Sequence, residues 1–206
     1  MTIPHLAENQ PWNKGRVVGQ KRPLKSRDVW TIRARLELAS NKRDLALFNL
    51  AIDSKLRACD LIALKISDIR TAQGVRERAS IVQKKTGRPV QFELTEATRL
   101  SVTAWLQDSD DKLSEFLFPS RFDCSQHLST RQYARLIHKW IGLTALNSTS
   151  YGTHSMRRTK VVQIYRKTGN LRAVQLLLGH TKLETTVRYL GVEVEDALSM
   201  SEQLEI

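Results

Sequence analysis

One short stretch of the chain carries residue types that could attack a phosphodiester. His154 and Arg157 stand three positions apart, a Gly179–His180 step follows, and Tyr189 lies nine residues after His180. A guanidinium can bind a phosphate, an imidazole can carry a proton, and a phenol can act as a nucleophile. The pattern therefore indicates phosphoryl chemistry that requires no metal ion or other cofactor.

Each of these signals is weak when taken alone. A His-x-x-Arg pair arises by chance in many proteins, and a tyrosine near a helix end is more often a packed aromatic with a wet hydroxyl. Two cations far upstream extend the set: Arg57 in Lys-Leu-Arg-Ala-Cys-Asp, and Lys85 in Lys-Lys-Thr-Gly-Arg. Arg57 could instead form an ordinary salt bridge with Asp60, and Lys-Thr-Gly is a common turn sequence.

The charge of the chain indicates its class of partner. Among 206 residues, 33 Lys and Arg stand against 21 Asp and Glu, a net charge of +12. Such a balance favours nucleic acid over an anionic membrane surface or simple solubility. No apolar run is long enough to span a membrane, and the first residues do not resemble a signal peptide. Cys59 and Cys124 form neither a disulfide framework nor a metal-ligand pattern, so we expect a reducing cytoplasm.

The periodicity predicts a mostly helical α+β fold with one small antiparallel hairpin. Helices are expected over 26–40, 45–52, 60–64, 95–106, 129–141, 154–167, 171–178 and 183–190, with a weakly amphipathic helix over 194–206. The strands are expected over 78–83 and 89–94, with a lysine-rich turn between them. Thr95 is a plausible N-cap, and Gly169 and Gly179 are expected to end their helices.

Residues 1–27 lack periodicity and are rich in Pro, Gly and basic side chains. This segment is expected to be a basic arm that wraps on a DNA backbone, or equally a solvated tail. The candidate backbone contacts are Lys14, Arg16, Lys21, Arg22, Lys84, Arg88 and Arg158.

In this order, the motifs resemble those of the tyrosine recombinases, or phage-type integrases, over roughly residues 28–192. The matching motifs are Leu56-Arg57 with Asp60-Leu61, Lys85-Thr86-Gly87, His154-Ser155-Met156-Arg157-Arg158-Thr159, and Leu178-Gly179-His180 followed by Thr185-Thr186 and Tyr189. Two positions depart from the family pattern. Lys55 stands where a glycine usually precedes Leu-Arg, and Asp60 replaces a glutamate.

The resemblance implies a tyrosine recombinase catalytic-domain fold and a six-residue site: Arg57, Lys85, His154, Arg157, His180 and Tyr189. In the family, two arginines and a histidine bind the phosphate and a hairpin lysine protonates the leaving 5′-oxygen. The tyrosine forms a covalent 3′-phosphotyrosyl link. Lys84 precedes Lys85, so either could be the acid.

The resemblance also implies an organisation and partners. We expect a basic arm over 1–27, a catalytic domain over 28–192 and a tail helix over 193–206, in a short form without a full N-terminal core-binding domain. Double-stranded DNA is the expected partner, and the protein would be nucleoid-associated when bound to it. The chain would assemble as a homo-oligomer, a tetramer, on DNA through the tail, with accessory DNA-bending proteins as further partners. Alternatively, the apolar tail residues Leu198, Met200 and Leu204 pack on their own domain.

The function implied is site-specific recombination that integrates, excises or inverts DNA. Two alternatives stay open. A type IB topoisomerase uses a similar set of cations and a tyrosine, although the small size and the spacing from His180 to Tyr189 favour the recombinase. A catalytically silent DNA-binding or regulatory protein would keep the fold without the reaction.

Overall fold

The computed structural model describes residues 20–108, 114–191 and 201–202. The helices there are α1 (Ser26–Leu38), α2 (Lys42–Ser54), α3 (Ala58–Ile62), α4 (Ile66–Ile69), α5 (Glu96–Asp108), α6 (Thr130–Ile141), α7 (Thr153–Thr168), α8 (Leu171–Leu178) and α9 (Leu183–Leu190). The strands are β1 (Arg70–Thr71), β2 (Gly74–Val75), β3 (Arg78–Val82) and β4 (Pro89–Glu93). The expected mostly helical α+β class is confirmed.

Helix α2 is the centre of the main core. It packs against α1, α5, α7 and β4, and its side chains are buried on every face from Ala46 onward. A helix that is buried on every face must be surrounded by other elements, which agrees with its central position. Phe48 meets the Trp140 ring edge-on at 5.5 Å, and the Trp140 indole donates to the buried Asp44 carboxylate at 3.1 Å.

The predicted hairpin is formed by β3 and β4, which pair antiparallel from Arg78 opposite Glu93 to Val82 opposite Pro89. Val90 and Phe92 of β4 are buried and their neighbours are not, the alternation expected of a strand with one face on a core. A second, smaller hairpin of β1 and β2 was not predicted. Its strands have two residues each, too few to show a period.

Helices α7, α8 and α9 enclose a second, smaller apolar cluster of Val161, Val162, Val174, Leu178 and Leu190. Gly169 and Gly179 end α7 and α8 with φ of 64° and 65°, a left-handed conformation that glycine adopts without steric cost. Both predicted helix stops are therefore confirmed. The chain turns sharply after each helix, which places the start of α9 beside α8.

The segment before α1 is packed on the body of the protein, which corrects part of the expected irregular arm. Leu24 is buried and its amide donates to the Thr159 hydroxyl of α7 at 3.0 Å. The Arg22 amide donates to the Ser150 carbonyl at 3.1 Å. Lys14 and Arg16, and the tail residues Leu198, Met200 and Leu204, lie outside the described residues.

None of the helices in the described ranges is long and apolar enough to cross a membrane.

Candidate active site

Arg57 lies at a sharp turn between α2 and α3. The chain leaves α2 through Lys55, whose φ of 55° is left-handed, a conformation that costs a non-glycine residue about 1–2 kcal/mol. The Lys55 side chain is fully buried and its ammonium pairs with the Glu93 carboxylate at 2.7 Å. This ion pair gives the buried Lys55 ammonium a partner of opposite charge.

The same ion pair belongs to a buried polar cluster formed by residues of α2, β4 and α7 and by the residue that follows α2. Lys160 of α7 pairs with Asp53 and with Glu93, each at 2.7 Å. Asp53 also accepts hydrogen bonds from the Thr95 amide at 2.8 Å and from its hydroxyl at 2.6 Å. Thr95 directly precedes α5, as predicted, but its hydroxyl donates its hydrogen bond to the Asp53 carboxylate. The cluster fixes α2, β4 and α7 relative to one another.

The Arg57 guanidinium donates a hydrogen bond to the amide oxygen of Gln83 at the end of β3. Across the described part of the chain Arg57 pairs with no carboxylate, so the ordinary salt bridge with Asp60 is absent. Asp60 is buried and accepts instead from the Lys84 amide at 2.9 Å. The charge of Arg57 is therefore left available to an anion.

The two candidate lysines differ in their surroundings. The backbone of Lys84 is held by Asp60, whereas Lys85 lies close enough to His154 for its charge to lower the pKa of that imidazole. Both side chains are exposed at the hairpin tip, as is Arg88. Lys85 is thus the lysine of the pair whose charge acts on His154.

Helix α7 carries His154 and Arg157. Arg157 is buried; one guanidinium nitrogen donates to the Leu178 carbonyl at 2.8 Å, and Nη1 is buried without a hydrogen-bond partner among the described residues. The pKa of His154 is lowered, first by partial desolvation and then by the charges of Arg157 and Arg158. Near neutral pH His154 is therefore uncharged and able to accept a proton.

Gly179, directly before His180, lies against the β-hairpin. A Cβ on Gly179 would lie 2.6 Å from Val90 Cγ2, so only glycine allows this approach. The His180 Nδ1 atom lies 3.1 Å from the Thr186 hydroxyl. Burial, then the charges of Arg157 and Arg57, lower the pKa of His180 to about 4.

Tyr189 lies among these cations on α9. Its ring meets the His180 ring edge-on at 5.5 Å, and Arg157 and Arg158 each lie 5.8 Å from its centre. Burial raises the pKa of Tyr189 to about 12, against the lowering effect of Arg157, Arg158 and Arg57. Its hydroxyl is buried and makes no well-formed hydrogen bond with any described residue, but its interaction with the Arg157 side chain lowers the pKa of Tyr189.

Arg158 is used by the fold itself, which corrects its expected role as a DNA backbone contact. Its buried guanidinium donates to the Lys21 carbonyl at 2.6 Å and to the Leu190 carbonyl at 3.3 Å. The ammonium of Lys21 in turn donates to the Thr149 carbonyl at 2.6 Å. Arg158 thus ties the start of the described chain to the helix of Tyr189.

The structure places Tyr189 in contact with His180 and Arg157, and charge effects connect the other predicted site residues to them. Arg57, Arg157 and Lys85 all act on the pKa of His154, while Arg57 and Arg157 act on those of His180 and Tyr189. Sequence reasoning missed Gln83 and the structural role of Arg158. The position of Gln83, directly before the lysine pair, was the one available signal.

A mostly helical domain that buries a tyrosine against a histidine and two arginines has the groups that tyrosine attack on a phosphodiester would need. The chain matches the phage integrase family over residues 20–195. It belongs to this family, and the expected relationship to the tyrosine recombinases is confirmed.

Individual relatives agree with this assignment. The probable integrase/recombinase YoeC of Bacillus subtilis (strain 168) is 26% identical over 156 residues, which cover 76% of this chain and 81% of that protein. Tyrosine recombinase XerC of Chlamydia muridarum (strain MoPn / Nigg) is 30% identical over 168 residues, covering 78% of this chain and 50% of the relative. The chain thus spans about half the length of its XerC relatives.

Solved structures show the same fold. A crystal structure of XerA recombinase matches with a TM-score of 0.73 at 20% identity, covering 91% of this chain and 66% of that one. XerH recombinase bound to its difH substrate matches with a TM-score of 0.68 at 19% identity, covering 87% and 54%. A lambda integrase dimer bound to a COC′ core site matches with a TM-score of 0.62 at 20% identity, covering 84% and 61%.

Proposed function

We propose that this chain cleaves and rejoins DNA strands at a specific site through a covalent 3′-phosphotyrosyl intermediate. The observation that carries the proposal is that Arg157 Nη1 and the Tyr189 hydroxyl are both buried, interact with each other, and make no well-formed hydrogen bond among the described residues. Buried polar groups are costly when unpaired. A bound phosphodiester would give each group a partner. Its non-bridging oxygens would accept hydrogen bonds from Arg157, and its phosphorus would be attacked by the Tyr189 oxygen.

Charge stabilisation comes from the fixed donors around the phosphate. Attack on phosphorus places additional negative charge on the non-bridging oxygens, and donors already aimed there lower the barrier most. Arg57 and Arg157 are both free of carboxylate partners in the described part of the chain. We assign the proton of the uncharged His180 ring to Nε2, with Nδ1 accepting from Thr186, so that Nε2 donates to the phosphate.

The cleavage step balances with the residues present. The Tyr189 oxygen forms a bond to phosphorus while the bond from phosphorus to the 5′-oxygen breaks. The phenol proton passes to His154, and Lys85 donates a proton to the departing 5′-oxygen. The products are a 3′-phosphotyrosyl link and a free 5′-hydroxyl. A second 5′-hydroxyl reverses these steps and reseals the strand, because the covalent link retains the energy of the broken bond.

Double-stranded DNA is the substrate that this proposal requires. The Tn1549 transposon integrase, which shares the fold, is in complex with circular intermediate DNA in its structure, and the net charge of +12 suits a polyanion. We further propose that the chain acts on DNA as a homo-oligomer, a tetramer joined through residues 193–206. Accessory DNA-bending proteins would be further partners, and the protein would be nucleoid-associated when bound to DNA. Integration, excision and inversion are all open to this chemistry.

A covalent trapping experiment tests the proposal. The full chain is incubated with nicked duplexes that carry the inverted repeats flanking its coding sequence, together with a pool of random sequence. Cleavage close to the nick releases a short strand that carries the 5′-hydroxyl. Because this strand diffuses away, the covalent intermediate cannot be resealed and accumulates. We expect a covalent complex that survives denaturation, and its complete loss in Tyr189→Phe. Tyr165→Phe, on α7, is the matched control and should still trap DNA.

The other outcomes identify the alternatives. Sequence-specific DNA binding without any covalent complex would show a catalytically silent DNA-binding protein. Covalent complexes on many sequences, with relaxation of supercoils and no joining to a new partner, would show topoisomerase-like activity. Either result would overturn the recombinase proposal.

A further inference from the structure

Gln83 is a buried glutamine outside the six-residue site. It lies between the end of β3 and the lysines of the hairpin tip, and its side chain is only 1% exposed. An amide is buried at little cost only when its oxygen and nitrogen find partners. The partners of Gln83 therefore show what this position contributes.

The amide oxygen of Gln83 accepts hydrogen bonds from Arg57 and from the Thr86 hydroxyl, the latter at 2.9 Å. Its amide nitrogen donates, at 3.4 Å, to the Leu178 carbonyl, the same carbonyl that receives Arg157. One side chain thus contacts Arg57, the loop of the candidate acid, and the carbonyl that holds Arg157.

The backbone of Gln83 also closes that loop. Its amide donates to the Arg88 carbonyl and its carbonyl accepts from the Gly87 amide, both at 2.9 Å. The Lys84 amide is fixed to Asp60, three residues after Arg57. Lys85 therefore extends from a short loop that is anchored at its base to the turn carrying Arg57.

The chemical type of this residue suits the task. A carboxylate at position 83 would hold Arg57 equally well, but it would neutralise the arginine and compete with a phosphate. It would also lack the nitrogen donor for the Leu178 carbonyl. A neutral amide orients Arg57 and leaves its charge for the substrate.

We propose that Gln83 is a positioning residue that holds Arg57 and the loop of Lys85 in one arrangement, so that charge stabilisation and proton donation are set together. This inference rests on the proposed function of the site. It does not make Gln83 a participant in the reaction, because Gln83 acts through Arg57 and Lys85.

The first test needs no DNA. In Gln83→Met, which keeps the size and removes the hydrogen bonds, we expect faster amide hydrogen exchange in peptides covering 84–88. The same substitution on the exposed face of the hairpin, Gln91→Met, is the matched control and should leave that exchange unchanged. Unchanged exchange in 84–88 for Gln83→Met would overturn the inference, whatever the chain does to DNA.

The second test measures cleavage of a nicked duplex that the wild-type chain traps. Gln83→Met should lower the cleavage rate by about 10²-fold, the order of a lost or misplaced proton donor, with Gln91→Met within about twofold of wild type. A substrate with sulfur in place of the 5′-bridging oxygen has a leaving group that needs no proton. It should restore Lys85→Ala almost fully, Arg57→Ala hardly at all, and Gln83→Met by at least about 10-fold.

Thr86→Val is the control for the case in which Gln83→Met fails to fold. Thr86 is exposed, and its replacement removes only one hydrogen bond to Gln83. It should show a smaller defect with the same rescue by the sulfur substrate. A rate for Gln83→Met equal to wild type, or a slow rate without any rescue, would overturn the coupling to Lys85. Failure of the wild-type chain to trap DNA would instead overturn the proposed function and leave the exchange test to decide on Gln83.

Discussion

The close contact between Gly179 and the β-hairpin gives a prediction whose size can be worked from the structure. Replacing Gly179 with alanine has two costs. The left-handed φ of 65° costs an alanine about 1–2 kcal/mol. The new Cβ would also lie 2.6 Å from Val90 Cγ2, and such overpacking adds about 1–3 kcal/mol. We therefore expect Gly179→Ala to lose about 2–5 kcal/mol of unfolding free energy.

Gly169 provides the matched control. Its φ of 64° is nearly the same, but a Cβ there would meet no atom within 4 Å. Gly169→Ala should therefore lose only the conformational part, about 1–2 kcal/mol. The difference between the two variants isolates the contact with the hairpin.

The assay is urea unfolding followed by circular dichroism, with the slope m checked for constancy. With a slope of about 2 kcal/mol per molar urea, the two midpoints should differ by about 0.5–1.5 M. Val90→Ala removes the Cγ2 atom, so the double variant should recover most of the difference as a favourable coupling energy. Equal losses for Gly179→Ala and Gly169→Ala, or zero coupling to Val90→Ala, would refute the reasoning.

Two further predictions concern the charges of the site and of the core. The lowered pKa of His180, about 4 in the folded chain against about 6.5 unfolded, means that the unfolded chain binds more protons between these values. The resulting stability is fully present above pH 6.5 and is lost as the pH falls towards 4, by about 1–2 kcal/mol once solvent screening of the half-buried ring is taken into account. Urea midpoints at pH 7.5 and 5 should show this loss, smaller in His180→Gln; equal losses in both proteins would contradict it. Lys55→Met removes a buried ammonium from Glu93, which keeps its pair with Lys160, and should cost about 1–3 kcal/mol, whereas Lys42→Met breaks an equally short but exposed pair with Asp108 and should cost at most about 0.5 kcal/mol. Equal unfolding midpoints for these two variants would show that burial of the pair contributes nothing.

The local features of the chain could be predicted because they depend on neighbouring residues. Helices α7 and α8 and their ends follow from apolar spacing and from Gly169 and Gly179. The β3–β4 hairpin follows from alternation around a turn. The residue types of the site were also evident, since a phosphodiester calls for cations, a proton carrier and a nucleophile. The β1–β2 hairpin was missed because its strands are too short to show a pattern.

What the sequence determined, then, was the set of reactive side chains and the helices and turns that carry them. Only the tertiary structure decided which polar groups are satisfied and which are left for a substrate. The bond from Arg57 to Gln83 spans 26 residues and that from Arg158 to Lys21 spans 137, and no local period encodes such partners. Within the described residues, the same packing buries Arg157 Nη1 and the Tyr189 hydroxyl without a well-formed hydrogen bond, because burial is a property of the folded chain and not of any one segment.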